Sequence, residues 1–182
     1  LPTETSTTNR TENNQTYSGL LPGTQFAKDP TFHLGTNGNG THVIESYIVA
    51  KLTDFDKAIS EGYIFKNELY EAGLNLNWVK VEDIENEFEE QSQYDGYYIF
   101  TNNGQIDDMD VTYTGENEGD IAILGEGEST DALFTYVQLK DMDNEDFEKV
   151  SDSLSVDISG VAVQAPYTSP SEAVAAAIDK LK

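Results

Sequence analysis

The run Asp141-Met-Asp-Asn-Glu-Asp146 places carboxylates at alternate positions, Asp141, Asp143 and Glu145, as the opening of a calcium loop does. Calcium takes about 6–8 oxygen ligands, and an EF-hand completes the set with a glycine turn midway and a bidentate glutamate at its end. Here Asp146 stands where the glycine belongs and Asp152 where the glutamate belongs. The run therefore offers Asp141, Asp143 and Glu145 as ligands for a surface calcium, without the two residues that would close the loop around it.

Other chemistry finds fewer residues. His33 and His42 are the only histidines, and neither lies in a His-Glu-x-x-His or comparable metal spacing. The absence of cysteine excludes disulfides, thiolate metal sites and a cysteine nucleophile. No Gly-x-Ser-x-Gly, P-loop or dinucleotide fingerprint occurs. Paired carboxylates for glycan hydrolysis need a fixed separation that a sequence does not supply, so the acidic residues read as solvated surface. Trp78 with Tyr97 and Tyr98 would suit a sugar platform, but aromatics on strands are more often core, and that is the reading adopted here. No cofactor follows from these residues, and the chain is not read as an enzyme. Three sequons, at Asn9, Asn14 and Asn39, mark candidate glycosylation sites within the first 41 residues.

The elements that hold these residues read as strands. Residues 42–52 are rich in β-branched side chains, and the preceding Gly35-Thr-Asn-Gly-Asn-Gly40 is a turn of residues that tolerate positive φ. Further strands are expected within 74–81, 96–101, 120–124, 132–139 and 154–165, a spacing that indicates an antiparallel sandwich. Residues 82–91, with Ile84 and Phe88 four apart among glutamates, predict a surface helix in a loop. Ser169-Pro-Ser-Glu172 is a capping box, and the helix it opens carries Val174, Ala177, Ile178 and Leu181 on one face, which should dock on the sandwich.

Residues 1–19 are Thr, Asn, Glu and Ser with little to bury, an extended arm preceding a domain at 20–182. Thr3, Thr5, Thr7, Asn9 and Thr11 alternate in it, which suits a strand by β-propensity. Fully extended, the arm spans roughly 60 Å at ~3.3 Å per residue, against about 40 Å across a globule of this length. No basic region followed by an apolar one opens the chain, so Leu1 reads as a mature terminus left by processing. Leu1-Pro-Thr-Glu-Thr5 has the letters of a sortase signal without its glycine or its apolar tail.

A net charge of −24, from 34 acidic and 10 basic residues, disfavours nucleic acid and anionic membranes as partners and favours cations. No window approaches the ~20 apolar residues of a membrane span. A saline or calcium-rich exterior, where the Debye length falls toward ~3 Å at molar salt, suits such a surface.

Several blocks resemble the camelysin/TasA-like family of secreted surface and biofilm-fibre proteins. They are Leu21-Pro-Gly, Lys28-Asp-Pro, the 35–40 turn leading into His42-Val-Ile-Glu-Ser-Tyr-Ile-Val, and Leu74-Asn-Leu-Asn-Trp-Val-Lys. Tyr94-Asp-Gly-Tyr-Tyr-Ile-Phe, Gly127-Glu-Ser-Thr-Asp-Ala-Leu-Phe and the closing Ala162-Val-Gln-Ala complete the set, which covers about residues 20–170 in order. The resemblance implies a jelly-roll-like β-sandwich and a subunit that polymerises when its N-terminal strand completes a neighbour's sheet, like a donor-strand pilus. Some relatives are classed as metallopeptidases, a label with no matching residues here. The expectation is an all-β secreted protein at the cell surface, a glycoprotein of the biofilm matrix, whose partners are copies of itself. The alternative is a monomeric surface module that binds glycan or cations.

Overall fold

The strand at the centre of the molecule, β3 (Ser46–Thr53), is buried along nearly its whole length, so it must be covered on both faces. The computed structural model describes residues 17–18, 21–35, 45–67, 73–83, 94–101, 105–107, 110–112, 121–148, 150, 153–154, 156–165 and 169–182. Within them β3 lies between β11 (Asp157–Gln164) and β6 (Tyr97–Phe100), and β5 (Trp78–Lys80) completes an antiparallel sheet of four strands in the order β11-β3-β6-β5. A second antiparallel sheet holds β9 (Tyr136–Leu139) between β2 (Gln25–Ala27) and β4 (Tyr63–Lys66). The expected all-β, jelly-roll-like antiparallel sandwich with a short C-terminal helix is the architecture observed.

Side chains alternate across a strand, and here each parity has its own core. Even-numbered Ile48, Ala50, Leu52, Tyr98 and Phe100 face the second sheet, where Phe26, Phe65, Val137 and Leu139 meet them. Odd-numbered Tyr47, Val49, Tyr97, Ile99 and Val163 face the other way, onto α3 (Pro170–Leu181). Val49, Val79 and Ile99 are completely buried there against Ala173, Val174 and Ala177. Each such side chain contributes about 1.5–3 kcal/mol by leaving water. The second sheet has one covered face, so it alternates cleanly: Tyr63 and Phe65 point in, Ile64 and Lys66 out.

The helix starts as its sequence dictates. Ser169 accepts a hydrogen bond from the Glu172 N–H while the Glu172 carboxylate accepts from the Ser169 N–H at 2.9 Å, and Pro170 takes the first helical position. Those bonds hold the Glu172 carboxyl below the usual glutamate range, the bond from the Ser169 backbone first and that from its hydroxyl second. At the other end the Leu181 carbonyl accepts from the Lys51 ammonium, which also lies over the Tyr97 ring at 5.2 Å. Of the helix expected at 82–91, only a 3-10 turn at Val81–Asp83 falls within the described residues.

Smaller elements complete the frame. The helix α1 (Phe55–Ser60) follows β3 and sets Phe55 on Phe65, ring centroids 4.4 Å apart. A hairpin pairs β7 (Gln105–Asp107) with β8 (Asp110–Thr112). At Gly96, in the turn before β6, φ is +77° and a Cβ would meet the Leu52 carbonyl oxygen at 2.8 Å, so the turn requires glycine. Two further short strands, β1 (Tyr17–Ser18) and β10 (Ser153–Leu154), pair antiparallel with each other.

Candidate functional site

The carboxylates singled out for calcium lie on an exposed segment that serves the fold. Asp143 caps α2 (Asn144–Phe147), its Oδ1 accepting the Asp146 N–H at 2.9 Å. Met142 and Phe147 pack from the same segment against the inter-sheet core, so the run anchors a loop. Among the described residues no three His, Asp or Glu side chains converge as metal ligands, Asp141, Asp143 and Glu145 included. His33 makes a 2.9 Å hydrogen bond to the Ser129 hydroxyl within an isolated β-bridge. His42 lies outside the described residues.

The aromatic residues are core, as read from the sequence. Trp78 is 1% exposed, donates its indole N–H to the Asp131 carbonyl at 3.0 Å, and packs on Phe100. Tyr97 and Tyr98 are buried on opposite faces of β6, one toward α3 and the other between the sheets. They form no shared platform with Trp78. The arm residues Thr3, Thr5, Thr7, Asn9 and Thr11 and the sequon asparagines Asn9, Asn14 and Asn39 lie outside the described residues.

What the fold does present is a sheet edge. The edge strands β2, β4 and β5 run three, four and three residues, whereas β11 runs eight. Among the described residues β11 pairs with β3 alone. The Ala165 N–H donates to the Glu45 carbonyl, and the pairing continues in register from Gln164↔Ser46 to Asp157↔Thr53 without a bulge. In such a ladder alternate residues bond to the same neighbour. Asp157, Ser159, Val161 and Val163 therefore bond to β3, and Ile158, Gly160, Ala162 and Gln164 direct their N–H and C=O groups outward.

An edge of this length usually carries a lysine, a proline, an inward charge or a bulge to discourage further pairing. Asp-Ile-Ser-Gly-Val-Ala-Val-Gln has no lysine, proline or bulge, and its one charge, Asp157, is at the end. Its inner face is pinned by Phe32, whose ring covers Gly160 and stands edge-on to Trp78 with centroids 5.6 Å apart. The Phe32 backbone is held in turn by Thr130, which accepts from its N–H and donates to its carbonyl. Reading the sequence for chemistry passed over this edge, although a lone glycine inside a strand is a signal of close approach.

Compared with protein-family models, curated proteins and solved structures, the chain matches none.

Proposed function

We propose that this chain is a non-enzymatic structural subunit of an extracellular filament, in which the N-terminal arm of one copy adds a strand to the sheet of the next. The observation that carries the reading is the eight-residue strand β11, which among the described residues pairs with β3 alone and carries no lysine, proline or bulge, in a chain whose residues 1–19 are polar with little to bury of their own. An open edge is a row of unpaired donors and acceptors, and an extended segment from another chain satisfies them through its backbone, whatever its side chains. Threonine and asparagine suffice for that role.

The camelysin/TasA-like resemblance supports the same reading, and the antiparallel sandwich is the fold that resemblance implies. Secretion, surface location and glycosylation belong to the proposal. The glycan-binding alternative loses its strongest residues, since Trp78, Tyr97 and Tyr98 are buried.

Electron microscopy of the full chain and of a chain lacking residues 1–16 tests the proposal. The deletion stops short of Tyr17 and Ser18, which pair with β10. The full chain should form regular filaments and the shortened one none. Filaments of normal length from the shortened chain would overturn it.

A further inference from the structure

The outward side of β11 is complementary to itself. Ile158, Gly160, Ala162 and Gln164 direct their N–H and C=O groups away from β3, and these four residues are spaced evenly about Val161. Turned end for end about that centre, the strand brings Ile158 opposite Gln164 of a second copy, Gly160 opposite its Ala162, and Val161 opposite its own counterpart.

We infer that two copies of this chain pair antiparallel through β11 about a twofold axis at Val161, joining their four-stranded sheets into one of eight. The inference rests on reading β11 as an open edge, and does not require that filaments form. The pair occupies the edge that strand addition would use, so it is a store of capped subunits.

Backbone, charge and side chains each favour a second copy. The four facing positions form hydrogen-bonded pairs, about eight backbone bonds in all. No residue of Asp157–Gln164 is a proline, so every donor is present. The stretch carries one charge, Asp157, on a chain of net charge −24. The antiparallel register sets the two copies of Asp157 at opposite ends of the pair, roughly 27 Å apart at ~3.4 Å per residue. A cationic strand would find only that carboxylate here, whereas a neutral strand of the same kind meets no opposed charge. Ile158, Val161 and Phe32 are only partly buried, and Ala162 is exposed. Pairing places the methyl of one Ala162 opposite the other copy's Gly160, on the face where the Phe32 ring covers that glycine.

The helix leaves room for the partner. It starts just past Ala165, at the end of the edge strand, and finishes over Lys51 and Tyr97, one and two strands farther in. At ~4.8 Å per strand it slants away from the edge by roughly 10 Å. The twofold axis puts the second helix nearest the edge at the opposite end, so the two do not compete for one place.

Cysteine trapping tests the register, because the chain has no cysteine of its own. Val161→Cys forms a non-hydrogen-bonded pair with its own copy, Cα atoms ~4.5 Å apart and within disulfide range. Mild oxidation should link it into dimers. Ser159→Cys faces Val163 of the second copy and lies ~14 Å from its counterpart, so it should give at least about tenfold less. Equal yields, or no dimer from either, would overturn the inference.

Sedimentation of the cysteine-free chain gives a second reading that no cysteine variant affects. At ~0.15 M salt it should show a reversible monomer–dimer equilibrium, since one strand pair lies at the small end of specific interfaces, below ~1,200 Å². Ala162→Pro removes an outward N–H and spares the bonds to β3, so it should weaken the dimer at least about tenfold while circular dichroism keeps the folded spectrum. A chain monomeric throughout, or a dimer indifferent to Ala162→Pro, would refute pairing at this edge. Electron microscopy of the disulfide-locked dimer separates this from the filament proposal. Locked dimers that form no filaments, while the reduced protein does, support both. Locked dimers that still grow normal filaments would keep the pair and remove β11 as the filament's acceptor edge. Filaments with no dimer by either test would sink the pair and leave the filament proposal standing.

Discussion

Gly160→Ala asks whether the edge strand is held in place by the ring beneath it. A Cβ built at residue 160 would lie 2.7 Å from Cδ1 and Cζ of Phe32 and closer still to Cε1, whereas carbon atoms pack at about 3.5–4.0 Å. The ring must therefore move by roughly 1 Å or more. It cannot slide along its backbone, which Thr130 fixes through both N–H and carbonyl, and its far side meets Trp78, 1% exposed. Overpacking of this kind costs about 1–3 kcal/mol. Replacing a glycine inside a strand returns about 0.5–1 kcal/mol of backbone entropy. The net loss should be about 1–2 kcal/mol, which lowers the thermal midpoint of a domain this size by roughly 2–8 °C.

A double-mutant cycle isolates the cause. Phe32→Ala alone should cost about 3 kcal/mol, the lower end for a phenylalanine because the ring is only partly buried. In that background the ring is gone, and Gly160→Ala should become neutral or stabilising by up to about 1 kcal/mol. Thermal or urea unfolding of the four proteins gives the coupling directly. If Gly160→Ala costs the same with and without Phe32, the ring is not what the glycine accommodates, and the account of how β11 is seated fails.

Ile158→Asp and Val161→Asp each place a carboxylate on a partly buried position of a different core and should cost several kcal/mol, visible as a lower midpoint; Val49→Asp, fully buried, should give no folded protein in expression and circular dichroism. An unchanged transition in the first two would remove β11 from both cores. Asp143→Ala should cost about 1 kcal/mol by removing the cap of α2, and Asp143→Asn much less, measured by thermal unfolding. Glu172 has its folded pKa depressed, so its stabilisation is complete above the ordinary glutamate value near ~4.3 and is lost as pH falls through the lower folded value. The midpoint difference between the unmodified chain and Glu172→Gln should accordingly shrink on acidification below about pH 4.3, and a constant difference would refute the linkage.

Much of this fold is written in local pattern. The capping box of α3 needs only four adjacent residues, and its apolar face docks where the spacing of Val174, Ala177 and Ile178 directs it. The central strand was legible from its β-branched residues, and so was the burial of Trp78. The short elements were not. Tyr63–Lys66 is a four-residue strand whose pairing with β9 comes from contacts far along the chain, so its own sequence gives only one alternation. Of residues 120–124, read as a strand, the described part, 121–124, contributes isolated bridges, Ser46↔Leu124 and Thr101↔Ile121. The closing strand read at 154–165 divides between β10 and β11, because Leu154 pairs with Tyr17 whereas Asp157–Gln164 pair with β3. The candidate site stayed hidden for a related reason. An edge is defined by which strand has no neighbour, and strand order is a property of the whole sheet.

If copies assemble by strand addition, each contact must bring together subunits of net charge −24. That repulsion reaches ~30 Å at 0.01 M salt and only ~3 Å at 1 M. The acidity then acts as a brake on assembly, released by screening. Light scattering should show little assembly at 10 mM NaCl and progressive assembly toward 1 M, at fixed protein concentration and with a chelator present. Calcium acting far beyond sodium at matched ionic strength would replace screening with specific bridging, and Asp141, Asp143 and Glu145 would be the first residues to neutralise. Filaments that grow equally well at low salt with chelator would show that the charge lies clear of the contacts, and the brake would not exist.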